Sequence, residues 1–159
     1  MGNLFTWFNT VFYFDILIIK LWRYFIKPKI PLNEIERLKL LKNFDILDTG
    51  VEEIFDNFTK LAALICEVPI CLISLVDENR QWFKSKYGLE ACETPRDISF
   101  CGHAIHDNKI FYVEDATTDF RFKNNPLVTG NPKISFDVSQ KLVQFEGRLK
   151  NFSATRFTF

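Results

Sequence analysis

No C-x-x-C pair, no glycine-rich loop and no convincing secretory leader occur in this sequence, and each absence removes a class of function. The six glycines stand singly, so the phosphate-cradling fingerprints of nucleotide-binding folds are missing. Four cysteines without a leader read as reduced thiols rather than as a disulfide framework. Net charge is absent too: 20 basic residues balance 20 acidic ones, and no global field attracts nucleic acid. No Ser-His-Asp order and no paired carboxylates stand out, so a non-enzymatic role is expected.

What is present suits one soluble domain. The chain has 159 residues, 47% hydrophobic and 25% charged, enough for a single packed core. The neutral total conceals a segregation: residues 1–30 carry four bases against Asp15, residues 31–134 carry 17 acids and 12 bases, and residues 135–159 carry four bases and two acids. Three segments are therefore expected, divided at residues 30 and 134.

Leu4 to Ile26 is nearly continuous in apolar and aromatic residues, interrupted by Asp15, Lys20 and Arg23. Its length would span a bilayer, but a central Asp is costly there. Thr6, Asn9, Thr10, Lys20 and Arg23 share one half of a helical wheel, and Trp7 and Trp22 sit near the ends. That pattern fits a helix lying in a membrane interface; if the segment did span, the bases after it would keep the C-terminal part cytoplasmic. It also fits a non-native extension, or a segment docked on the protein itself.

Pro28 and Pro31 bracket a basic linker, after which the pattern changes. Asn33 with Glu36 reads as a capping box, and Ile35, Leu38 and Leu41 follow at helical spacing. After the Asp48-Thr49-Gly50 break, Glu52 and Glu53 favour a second helix start. Ile54, Phe58, Leu61 and Ile65 form an apolar stripe expected to cover a sheet. Ile70–Val76 is a buried strand, Asp77–Arg80 a turn and Gln81–Tyr87 a returning strand stopped by Gly88. Trp82 and Phe83 alternate faces, one to the core and one to a pocket or edge. Phe111–Val113 is a further strand. Helices followed by antiparallel strands give the α+β class.

The motifs Asn33-Glu34, Ile46-Leu47-Asp48-Thr49, Val68-Pro69-Ile70 and Ser74–Ser85 resemble those of a GAF domain. Glu93–Cys101 with His103-Ala104-Ile105, Val113–Ala116, Asp119–Phe122 and Asn125–Val128 continue the likeness, in order, over 102 residues from Asn33 to Ile134. The type resembled is the bacterial one found ahead of sensor histidine kinase and diguanylate cyclase (GGDEF) domains. The resemblance implies an antiparallel sheet with helices on one face and a loop-roofed ligand cavity on the other. It implies a sensory module for a small ligand or for dimerisation, and names no cofactor. It stops at Ile134, so the last strands are expected to be missing or divergent. The tail then reads as divergent replacement strands, as a gene remnant, or as a sheet completed by another chain.

The residues that could bind a ligand are Arg96, Ser99, Cys101, His103 and Asp115. Arg96 and the amides at the Ser99 helix start suit an anion, unless Arg96 pairs with Asp97 or Glu93. Cys101, His103 and His106 are the one metal-like set, but 101 and 103 point apart on a helix, so no metal is expected. Cys66 and Cys71 read as core fillers. The expected partners are an unidentified small molecule, a second copy or a signalling domain, and a membrane surface through residues 4–26.

Overall fold

A computed structural model of the chain describes residues 25–140. Among these, helix α1 spans Glu34–Asn43, with Glu34 and Glu36 in its first turn, where the helix dipole favours acids, and Lys42 in its last. The expected capping box does not form. Asn33 has φ −98° and ψ 26°, outside the extended region that aims a side chain back at the helix amides, and its side chain makes no cap bond. Of the helically spaced apolar residues, Ile35 is exposed, whereas Leu41 is buried with Leu75 and Trp82.

Strand β1, Cys71–Val76, is buried along its whole length and pairs antiparallel with β2, Arg80–Tyr87. A short β3, Glu93–Pro95, adds to the far side of β2 in register Gln81↔Thr94. The turn after β2 requires glycine. Gly88 has φ 73°, and a Cβ there would lie 1.8 Å from the Pro69 carbonyl oxygen.

The β1–β2 register shifts between Ile73 and Ser74, opposite Ser85 and Phe83 respectively, which leaves Lys84 as a bulge residue. Lys84 and Ser85 consequently both turn toward helix α2, Glu53–Cys66. The Lys84 side chain is 0% exposed; its ammonium pairs with Glu52 at 2.5 Å and donates to Thr49 Oγ1 and the Gly50 carbonyl. Ser85 donates to Asp56 at 2.5 Å and meets Thr59 Oγ1 at 2.7 Å. Buried polar groups demand partners, and an apolar stripe cannot supply them. Helix α2 covers the sheet as expected, but through Asp56, Thr59 and Ala63. The Ile54, Phe58, Leu61 and Ile65 stripe faces outward, each at least half exposed.

On the opposite face, Ile70, Leu72 and Phe83 pack beneath α3, Phe100–Ala104, in a cluster with Val113, Ala116 and Phe122. Phe100 stacks on Phe122 with ring centroids 4.1 Å apart. Strand β4, Ile110–Val113, and the short helix α4, Pro126–Thr129, follow. Strand β5, Asp137–Gln140, pairs with β4 from Val113↔Asp137 to Ile110↔Gln140, so the chain stays within the fold past Ile134. The result is α+β with two antiparallel sheets. The readings of residues 4–24 and 141–159 lie outside the described residues. Among the described residues no helix is long and apolar enough to cross a membrane.

Candidate functional site

Trp82 and Phe83 divide as alternation predicts: Trp82 joins the helix-side cluster, and Phe83 faces a cavity on the other side of the sheet. That cavity holds about 370 Å³. Its floor is Leu72, Gln81 and Phe83 of the β1–β2 pair, with Ile70 just before β1. The segment from Gly88 through Ala91, the start of α3 and the stretch from Leu127 to Ile134 complete its walls. Apolar side chains dominate, and the polar groups are few.

Besides the exposed Glu90 and Asn131, the polar side chains of the lining gather around Gln81. Gln81 Nε2 donates to Ser74 Oγ at 3.0 Å and to Cys101 Sγ at 3.1 Å, and the Ser74 hydroxyl also donates to Cys101 Sγ at 3.5 Å. Cys101 is buried on α3 and lines the cavity. Thr94, opposite Gln81 across the ladder, lines it too, and its Oγ1 is buried without a hydrogen-bond partner.

The other expected site residues lie elsewhere. Arg96 is buried away from the cavity lining; its Nη1 meets Glu34 Oε1 at 2.6 Å and the Asp77 and Glu78 carbonyls at 3.2 Å. Neither Asp97 nor Glu93 is its partner: Lys27 takes Asp97, and Arg80 takes Glu93 and Asp48. Arg37 and Arg96 together hold the Glu34 carboxyl down at about 2. Ser99 caps α3, accepting from Gly102 N–H at 3.0 Å and donating to the Arg96 carbonyl at 2.9 Å. Asp115 is an exposed turn residue bonded to Thr117, whose hydroxyl and amide keep its carboxyl below the usual range.

His103 and His106 hold the linker before α1. His103 Nε2 lies 3.1 Å from the Ile26 carbonyl and His106 Nε2 lies 2.7 Å from that of Lys29; a carbonyl only accepts, so each Nε2 carries the proton. Burial pushes His103 below its ordinary pKa, despite the Ile26 carbonyl. Gly102 belongs to the same contact, since a Cβ there would lie 2.6 Å from Pro28 and 2.7 Å from Ser99 Oγ. Among the described residues no three His, Cys, Asp or Glu side chains converge as a metal site. Cys66, expected in the core, is exposed, whereas Cys71 is buried and its thiol is pushed up to about 11 by desolvation. Sequence reasoning did not single out Gln81 or Thr94. The signal for Gln81 was its two-residue offset from Phe83, which places both on one face of the strand.

Two comparisons bear on this arrangement. The GAF domain family matches residues 50–137. A cyclic di-GMP phosphodiesterase of Pseudomonas aeruginosa is 39% identical over 120 residues, which cover 76% of this chain. The match takes in 20% of that relative, so the chain spans about a fifth of its length.

Proposed function

The chain belongs to the GAF domain family, and on that premise we propose that it is a non-catalytic sensory module of bacterial signal transduction, binding a small molecule over β1 and β2. The observation that carries this reading is the cavity. Its 370 Å³ falls within the ~300–1,000 Å³ usual for small-molecule sites, and its apolar walls with a few convergent polar groups fit the same pattern. The name of the Pseudomonas relative supports an output in cyclic di-GMP turnover; a sensor histidine kinase or a diguanylate cyclase is the output that the sequence motifs suggest. Residues 4–26 would hold the module at a membrane surface.

A metabolite library screened by thermal shift on the full chain tests the reading. Ligand at a hundredfold excess over its Kd stabilises by about 2.7 kcal/mol, a visible shift. Stabilisation that disappears in Ala91→Trp, which fills the cavity from an exposed position, supports it. Hits indifferent to that variant, or no hits at all, overturn it.

A second reading, a dimerisation module, is favoured by the exposed α2 stripe, because contiguous apolar surface marks interaction sites. Sedimentation of the wild type beside Ile54→Lys/Ile65→Lys decides it. A dimer that the variant dissociates supports the reading, and a wild-type monomer at all concentrations removes it.

A further inference from the structure

We infer that the cavity takes a neutral, largely apolar molecule bearing one hydrogen-bonding group, and rejects anions. This rests on reading the cavity as the ligand site. The residues lining it include no Lys, Arg or His, and the one carboxylate among them, Glu90, is exposed at the rim. Lys133, between Pro132 and Ile134, is exposed and outside the lining, and three other cations near the cavity are engaged elsewhere. Arg96 lies outside the lining and pairs with Glu34 through Nη1, its Nε and Nη2 being buried without partners, and Lys84 is buried on the opposite face against Glu52. Lys86 turns its ammonium to the Glu90 carbonyl and to Cys92. A carboxylate or phosphate entering between Phe83, Leu127 and Ile134 would be stripped of water and meet no counter-charge, which costs far more than the apolar contact returns.

The polar end sets the single hydrogen bond. Gln81 directs its amide N–H groups to Ser74 and Cys101, so both of its donors are spent within the protein. Thr94 Oγ1, its partner across the ladder, is buried and unpartnered. A buried hydroxyl without a partner is a cost, and turning Thr94 Oγ1 toward a ligand acceptor or donor would recover it. Asn131 adds one exposed amide to the lining, and the rest of the walls are apolar apart from Glu90 at the rim. A bicyclic heteroaromatic with one ring nitrogen has this chemistry.

The probes are quinoline, neutral at neutral pH, and quinoline-4-carboxylate, titrated into the full chain by calorimetry. Quinoline is expected to bind at least tenfold more tightly than the carboxylate. Thr94→Val should weaken quinoline about fivefold, and Thr94→Ser should restore it. Equal or tighter binding of the carboxylate overturns the inference about charge while leaving the cavity as the ligand site. Quinoline affinity unchanged in Thr94→Val overturns the role given to Thr94. Binding of neither probe by a chain with a dispersed native spectrum overturns the whole inference. In that last case, library molecules whose stabilisation Ala91→Trp abolishes would still leave the proposed function standing.

Discussion

The guanidinium of Arg96 meets the carboxylate of Glu34 at 2.6 Å across 62 residues of chain, tying the start of α1 to the loop after β3. Arg37 grips the same carboxylate from one turn along, at 2.8 Å. Both ends of the Arg96 pair are nearly buried, with side chains 5% and 12% exposed. Removing the carboxylate strands a buried cation. Glu34→Gln should therefore cost about 3 kcal/mol in urea unfolding.

The same pair sets an acid limb. The Glu34 carboxyl is held at about 2 against an ordinary 4.5, so its contribution is complete above 4.5 and fades as pH falls toward 2. Stability of the wild type and of Glu34→Gln, compared by urea midpoint, should converge through that window. A gap that stays constant down to the acid end would contradict the assignment.

His103 sets a second limb, nearer neutrality. Burial disfavours its charged form, so the unfolded chain binds this proton more readily than the folded one. Stability should be complete above the ordinary value of 6.5 and decline as pH falls below it. His103→Gln should flatten the urea midpoint between about pH 5 and 7. An NMR titration of His103 at or above 6.5 in the folded chain would rule this out.

Gly88→Ala should destabilise by more than about 2 kcal/mol, because the added carbon meets the Pro69 backbone and the positive φ adds strain. Gly50→Ala is the control. Nothing lies within 4 Å of its Cβ position, so it should be neutral or stabilising by up to about 1 kcal/mol. Equal thermal midpoints for the two variants would contradict the geometry at Gly88.

Iodoacetamide on the native chain should modify Cys66 and Cys92 and spare Cys71 and Cys101, with all four reacting once unfolded. The high Cys71 pKa reinforces its protection. Mass spectrometry counts the adducts, and rapid native labelling of Cys71 or Cys101 would show that the described burial is wrong.

Local signals located the elements well. The strands read as Ile70–Val76 and Gln81–Tyr87 fall within a residue of β1 and β2, because periodicity and the Gly88 stop act over short range. The stripe on α2 was legible as a stripe but not as an outer face. What turned it outward is the bulge at Lys84, which presents two polar side chains to the helix, and bulge placement depends on pairing between strands. Of the five expected site residues only Cys101 lines the cavity. Arg96 looked like an anion holder because its loop could be placed while its partner could not: Glu34 lies on another element. Strand β5 escaped because Asp137–Gln140 is too short to carry a pattern without β4 beside it.

Helix α3 has two clients. Phe100 and Cys101 form part of the cavity wall, while Gly102, His103 and the following His106 grasp Pro28, Ile26 and Lys29. At five residues it is too short to bend and has no slack between these duties. A guest that displaced α3 would therefore disturb its contacts with Ile26, Pro28 and Lys29 as well. One short helix thus stands between the cavity and residues 26–29, the stretch that leads into α1.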